Sequence, residues 1–104
     1  MQIKVIGRHM EVSDALKAYA NEKASKFERF YDRVQSAEIV FDVEGPLHRC
    51  DVIVRGDHHM TFVAKEEHEN AFAAFDLAEH DLERQLNRHK EKFRNRKHSG
   101  GREE

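Results

Sequence analysis

The sequence predicts a two-layer α/β sandwich of the α+β type. Its elements follow the order β-α-β-β-β-α, with a four-stranded mixed sheet and two helices on one face. Four short segments alternate apolar and polar residues, as half-buried strands do. Two longer segments carry apolar residues three and four positions apart, as amphipathic helices do. The strand segments share one apolar row, which is the surface that two such helices would cover.

The first strand and the first helix lie in the first third of the chain. Residues 2–7 alternate, with Ile3 and Val5 on the same face, and indicate a short strand. Ser13 is a suitable N-cap, because its side-chain oxygen can accept a hydrogen bond from an amide of the first turn. The helix is predicted to extend to about Phe30. Its apolar positions at helical spacing are Leu16, Ala20, Ala24, Phe27 and Tyr31.

Three further strands are predicted at residues 36–44, 48–55 and 59–65, with turns at Gly45-Pro46 and Gly56-Asp57. The strand-helix-strand unit predicts a parallel pair joined by a right-handed crossover. The two short connections predict antiparallel hairpins. The row that faces the helices consists of Ile3, Val5, Ile39, Phe41, Val52, Val54 and Phe62.

The last helix is predicted from about Glu69 to Phe93, where apolar residues again recur with a period near 3.6. A Ser-Gly-Gly segment of mixed charge follows and predicts a flexible tail over residues 96–104. No linker or internal repeat interrupts the rest of the chain. Residues 1–95 are therefore expected to form a single domain.

Charge is distributed unevenly along the 104 residues. The chain holds 18 Lys and Arg against 20 Asp and Glu, a net charge of −2. Residues 66–83 hold seven acidic and no basic side chains, which sum to −7, whereas residues 84–98 hold seven basic and one acidic, which sum to +6. The near-neutral total therefore conceals a strongly dipolar last third. Charge asymmetry along a chain indicates a partner better than net charge does.

The basic stretch forms a ridge on the last helix, because Arg84, Arg88, Lys92 and Arg96 are spaced four apart. Like charges at this spacing destabilise an isolated helix by about 0.2–0.5 kcal/mol per pair. A helix that accumulates such repulsions is typical of proteins that bind phosphate. The alternative is a solvated face that complements the helix dipole, but that effect fades within one turn and the basic stretch covers roughly four. The pattern favours a polyanion partner.

Three other basic residues are candidates for the same surface. Lys23 and Lys26 of the first helix would border one basic groove if both helices lie side by side. Arg8 follows the first strand, where it would reach a phosphate. Arginines in loops are common, so the two interpretations of Arg8 stay equally open. The acidic stretch 66–83 is expected to point away from a bound polyanion, since it would repel it.

The face of the sheet away from the helices carries Ile6, Val40, Ile53 and Val63. This row offers an alternative function, a protein-interaction or dimerisation module that uses the exposed sheet without binding nucleic acid. The favoured interpretation is simpler, because β-branched residues suit strands in any case.

The sequence disfavours several functional classes. No apolar run of about 20 residues is present and the first ten residues hold no secretory h-region, which predicts a cytoplasmic protein without a membrane partner. Cys50 is the sole cysteine and falls on the inward row of a strand, where it would serve as a small core residue. No P-loop, GxGxxG, HExxH or GxSxG motif occurs. We therefore expect no enzyme, no catalytic or metal site, no cofactor and no small-molecule substrate.

The eight histidines raise the question of a metal site. His48, His58 and His59 would suggest one if they converged at one end of the sheet, but their spacing is not specific for any ligand set. Scattered surface imidazoles are the favoured interpretation. His89 lies on the apolar stripe of the last helix and is expected to be a half-buried packing residue.

Two motifs resemble those of the ribosome hibernation-promoting factor family. The first spans Gly-Arg-His at 7–9, Ser-Asp at 13–14 and Ala-Leu-Lys at 15–17. The second spans Leu-Glu-Arg-Gln-Leu at 82–86 and His-Lys-Glu-Lys at 89–92. The resemblance covers about residues 1–97 and implies a fold similar to a double-stranded-RNA-binding domain.

The resemblance also implies a function. Family members bind rRNA of the small ribosomal subunit in the channel for mRNA and tRNA, and so inhibit translation under stress or in stationary phase. The small subunit, with its rRNA and neighbouring ribosomal proteins, is the implied partner, and the chain resembles the short form of the family. Asn87 replaces a base that is usual in the second motif. Carried onto this sequence, the rRNA-binding positions are Arg84, Arg88, Lys90 and Lys92, with Arg8, Lys23 and Lys26 matched less closely.

Overall fold

The computed structural model describes residues 1–99, and the side chains of residues 1–92. Its elements are β1 (Gln2–Arg8), α1 (Asp14–Ala24), α2 (Phe27–Phe30), β2 (Val34–Glu44), β3 (Leu47–Gly56), β4 (Thr61–His68) and α3 (Ala71–Ser99). A 3-10 turn at Asp57–His59 connects β3 to β4. The predicted order of strands and helices is confirmed, with one helix divided in two.

The four strands form one mixed sheet in the order β1-β2-β3-β4. β1 pairs parallel with β2, and the two later pairs are antiparallel. One row crosses the whole sheet, because Val5 lies opposite Ile39, Ile39 opposite Val52, and Val52 opposite Ala64. The predicted parallel pair and both antiparallel hairpins are confirmed.

The core lies between this row and the helices, as predicted. One cluster of fully buried residues contains Phe27 of α2, Phe41 and Val52 of the sheet, and Phe75 and Leu82 of α3. α3 covers β3 and β4, while α1 lies beside β1. These contacts place the helices in a single layer on one face of the sheet.

The helices run parallel along the sheet. Near the start of α3, the ring of Tyr19 lies 5.3 Å from that of Phe72, and further along the ring of Tyr31 lies 5.0 Å from that of His89. The middle and last turn of α1 therefore face the acidic half of α3, and α2 leads to its basic half. This relative position of the helices determines which charged groups face each other between them.

The first helix ends earlier than its apolar pattern predicts. The hydroxyl of Ser25 donates to the Glu22 carbonyl oxygen at 2.7 Å, and the amide of Lys26 donates to the Lys23 carbonyl oxygen at 3.1 Å. A serine that bonds its own preceding turn competes with the helical ladder. The chain then forms the short helix α2, which keeps Phe27 in the core.

The last helix begins and ends later than predicted. The Asn70 side-chain oxygen accepts hydrogen bonds from the amides of Phe72 at 2.8 Å and Ala73 at 3.2 Å, so the helix starts at Ala71 rather than near residue 69. It continues to Ser99, because Arg and Lys favour helix even where no apolar stripe remains. Residues 96–99 of the expected tail thus belong to α3, and the others lie outside the described residues.

Gly7 occupies a position that excludes a side chain, and its substitution gives a stability test. A Cβ atom there would clash with the Met10 carbonyl oxygen and lie 3.1 Å from Val12 Cγ2. We expect Gly7→Ala to lower the free energy of unfolding by about 1–3 kcal/mol, the usual cost of overpacking. Gly45→Asn is the control, because nothing lies within 4 Å of its Cβ position and Asn tolerates its φ of 60°. Urea unfolding of both variants measures the difference, and equal midpoints would contradict the prediction.

Candidate functional site

The basic half of α3 presents an exposed ridge of cations. Leu82 and Leu86 are fully buried against the sheet, and Arg84, midway between them, is exposed. Arg84 is exposed and lies 3.5 Å from the Asp81 carboxylate, which is a weak surface contact. Arg88 and Lys92 are exposed and make no ion pair with any side chain in residues 1–92. We name Arg84, Arg88 and Lys92 the α3 ridge.

Lys90 lies on a different side of the helix from the α3 ridge. It is half-buried and lines a cleft of about 360 Å³ together with residues 28–33, the segment from α2 to the start of β2. The parallel arrangement of the helices brings this segment beside Lys90. Lys26 is exposed at the residue that precedes α2, which itself packs against α3.

Lys23 faces acidic groups instead of the basic half of α3. Its Nζ lies 3.7 Å from the Asp76 carboxylate and 5.4 Å from the centre of the Tyr19 ring. Partial burial disfavours its charge, but Tyr19, Glu79 and Asp76 together outweigh burial and raise the pKa of Lys23. The expected groove bordered by both Lys23 and Lys26 is therefore not uniformly basic.

Part of the acidic stretch of α3 turns toward α1. Asp76 accepts a hydrogen bond from the Tyr19 hydroxyl at 2.6 Å. Glu79 is only 4% exposed. Burial, followed by the hydrogen bond and charge of Glu83, raises the pKa of Glu79 to about 8. The charge that lines the groove between the helices thus changes sign along its length, from acidic beside α1 to basic beside α2.

Arg8 is not brought near the α3 ridge. Its guanidinium lies 3.6 Å from Asp42 and 3.8 Å from Asp51, on the face of the sheet away from the helices. Asp42 lies near the end of β2, about 26 Å along that strand from its first residue, Val34. The chain enters β2 from α2 at the Val34 end. Arg8 therefore occupies the opposite face and the opposite end from Lys90.

The outer sheet face exposes less apolar surface than the sequence pattern predicts. Ile6 is 37% exposed and Val63 is 42% exposed, but Val40 is only 9% exposed and Ile53 is half-buried. Charged neighbours surround them, such as the Arg49 guanidinium 3.0 Å from Glu67. The sheet face suggested as an alternative interaction surface therefore exposes only two of its four apolar side chains, Ile6 and Val63, and these lie apart.

The predictions for Cys50 and His89 are confirmed. Cys50 is fully buried, and burial raises the pKa of its thiol to about 12, so the thiolate is scarce at neutral pH. His89 is half-buried, with its ring 5.0 Å from that of Tyr31 and 5.5 Å from that of Phe62.

The suggested convergence of histidines is wrong. His48 lies near the start of β3, whereas His58 and His59 follow its end, so a ten-residue strand of roughly 30 Å separates them. No group of three or more potential metal ligands occurs within the described part of the chain. Among the helices described, none is long and apolar enough to cross a membrane.

One motif residue has a role that sequence reasoning missed. Gln85 donates its side-chain amide to the Val63 carbonyl oxygen at 2.9 Å. Val63 lies on β4, an edge strand of the sheet, so this bond ties α3 to that edge. Nothing in the linear sequence indicates the contact, since the two residues are 22 positions apart. The bond joins β4 to the turn of α3 that also carries Arg84.

Comparison with known proteins places the chain among ribosome-associated factors. The family model described as "Sigma 54 modulation protein / S30EA ribosomal protein" matches residues 3–94. The ribosome hibernation promoting factor of Azotobacter vinelandii is 38% identical over 95 residues, which cover 88% of this chain and 85% of the relative. That of Escherichia coli (strain K12) is 31% identical over 97 residues, which cover 90% of this chain and 98% of the relative.

Solved structures agree with these matches. A ribosomal subunit interface protein from Coxiella burnetii superposes with a TM-score of 0.80 at 26% identity, covering 86% of this chain and 98% of that one. The N-terminal domain of Thermus thermophilus Protein Y superposes with a TM-score of 0.76 at 31% identity, covering 85% and 98%. The family model, the relatives and the shared fold show that this chain belongs to the ribosome hibernation promoting factor family.

Proposed function

We propose that this protein is a non-enzymatic ribosome hibernation factor that binds rRNA of the small ribosomal subunit in the channel for mRNA and tRNA. Occupation of that channel would exclude both ligands and inhibit translation under stress or in stationary phase. Family membership supports the hibernation function, and the names of the relatives refer to it directly. The proposed location is the cytoplasm, where ribosomes are.

The α3 ridge is the observation that carries the rRNA interface. Arg88 and Lys92 are exposed cations without an ion-pair partner in residues 1–92, and Arg84 has only a 3.5 Å contact with Asp81. An RNA phosphate would relieve their mutual repulsion and release counterions. Lys90 and Lys26 extend the basic surface toward α2. Arg8 and Lys23 receive less support, because Arg8 lies on the opposite face of the sheet between two carboxylates and Lys23 lies in the acidic half of the groove.

The proposal predicts a defined salt dependence. If about five phosphates are engaged, the logarithm of the association constant falls with the logarithm of salt concentration at a slope of about −3.5 to −4.5. Co-sedimentation with isolated small subunits over a salt series measures this slope. Large subunits serve as the comparison. Absent binding, or binding that does not respond to salt, would overturn the proposal.

A further inference from the structure

The cleft between residues 28–33 and Lys90 combines cations with an aromatic ring. Arg29 and Lys90 enter it from α2 and α3, and Arg33 lines it from the start of the sheet. Phe30 is half-buried and lines the same cleft. Its volume of about 360 Å³ lies near the lower end of the range for ligand pockets, about 300–1,000 Å³.

The charges in the cleft suit one anionic group better than several. Glu28 lies 3.0 Å from the amino group of Met1, and Arg33 lies 3.8 Å from Asp57, so both are partly satisfied within the chain. Arg29 and Lys90 make no ion pair with side chains in residues 1–92. Asp32 also lines the cleft and would repel a second phosphate. Two available cations beside one acid are sufficient for a single phosphate.

The ring that can contact a ligand is that of Phe30. Tyr31 is 6% exposed, and its hydroxyl donates to the Met60 sulfur at 3.8 Å, so its ring belongs to the core. Phe30 packs on the core at one side and remains partly exposed at the other. An aromatic face beside arginine and lysine is the arrangement that holds unpaired bases in single-stranded RNA.

We infer that this cleft binds one unpaired nucleotide of the RNA, with its base stacked on Phe30 and its phosphate between Arg29 and Lys90. The inference rests on the proposed function, because the α3 ridge supplies the rest of the RNA contact. A base within a duplex cannot reach the ring, since both of its faces are already stacked. The α3 ridge would contact phosphates and would not distinguish one base from another. The cleft would therefore add selectivity for an unpaired nucleotide.

Substitutions of Phe30 separate stacking from charge. Phe30→Leu keeps an apolar side chain but removes the stacking face, whereas Phe30→Tyr keeps it. We expect Phe30→Leu to weaken binding to small subunits by about fivefold or more, since base–aromatic stacking contributes about 1–3 kcal/mol. Its salt slope should match that of the unmodified protein, because no charge is lost. Phe30→Tyr should bind within about twofold of the unmodified protein.

Substitutions of the two cations provide a second measurement that does not disturb the core. Arg29→Gln and Lys90→Gln should each reduce the magnitude of the salt slope, by up to about 0.7–0.9 if that residue carries a full phosphate contact. Thermal unfolding of all four variants shows whether each is folded at the assay temperature. If Phe30→Leu is unstable, the salt slopes of Arg29→Gln and Lys90→Gln and the affinity of Phe30→Tyr still test the nucleotide site.

The outcomes distinguish this inference from the proposed function. If the unmodified protein does not bind small subunits, both fail. If it binds, but Phe30→Leu binds equally well or Phe30→Tyr loses as much as Phe30→Leu, the nucleotide site alone fails. Unchanged salt slopes for both cation variants would also overturn it.

Discussion

Reversing two charges of the α3 ridge should abolish binding to the small ribosomal subunit. In the double variant Arg88→Glu with Lys92→Glu, two exposed cations become anions, and neither has an ion-pair partner to lose in residues 1–92. Hydrogen bonds to charged groups contribute about 1.5–3 kcal/mol each, so losing two of them predicts a weakening of about 100- to 10,000-fold. Repulsion between the new carboxylates and phosphate would add to this loss. Co-sedimentation at fixed salt measures it.

The double variant Lys4→Glu with Lys65→Glu is the matched control. Both lysines are exposed on the outer sheet face, away from the helices, and the change in net charge is the same. We expect the control to keep its affinity within a few-fold, because only the position of the charges differs. Equal losses in both variants would mean that total charge governs binding, and retention by the ridge variant would mean that the ridge is only a solvated face. Circular dichroism should show an unchanged fold in both.

Replacing Glu79 with glutamine should remove a pH dependence of stability. Burial raises the pKa of this carboxyl to about 8 in the folded protein, against an ordinary value of 4.5. The folded state therefore binds the proton more tightly than the unfolded state does. The stabilisation is fully present below about pH 4.5 and is lost as pH rises through 8. Each pH unit within this interval lowers the free energy of unfolding by up to about 1.4 kcal/mol.

Glutamine keeps the size of the side chain and cannot ionise. At pH 9 we expect Glu79→Gln to be more stable than the unmodified protein by a few kcal/mol, which is a rise in melting temperature of about 8 °C or more. At pH 5 the two should differ little. Glu69→Gln is the control, because Glu69 is exposed just before α3. Melting curves that stay parallel from pH 5 to 9 would contradict the prediction.

Burial, together with two negative neighbours, explains why the pKa of Glu79 is raised. Asp76 and Glu83 of α3 lie near the Glu79 carboxyl. The Lys23 amine and the Tyr19 hydroxyl approach the same region from α1. Ionised Glu79 would meet more negative than positive charge in a poorly hydrated groove. The same residues connect α1 to α3, so ionisation of Glu79 acts at the contact between these two helices.

The sequence by itself determined the elements, their order and the position of the basic ridge. Alternation placed Ile39, Val52 and their neighbours on one row, and the structure confirms it because a strand has only two faces. The i, i+4 spacing placed Arg84, Arg88 and Lys92 together for a similar reason, since helix geometry is local. The helix ends were less accurate, because Ser25 and Asn70 bond to nearby backbone groups in ways that periodicity does not report.

The tertiary structure alone decided which charges meet between the elements. Lys23 and Lys90 are both basic residues on helices, yet one faces Asp76 and Glu79 and the other faces the cleft that contains Phe30. Arg8 lies on the outer sheet face, where Asp42 pairs with it in register. Periodicity shows which side of an element turns to the core, but the offset between two packed helices depends on long-range contacts. That offset gives the groove its acidic and basic halves.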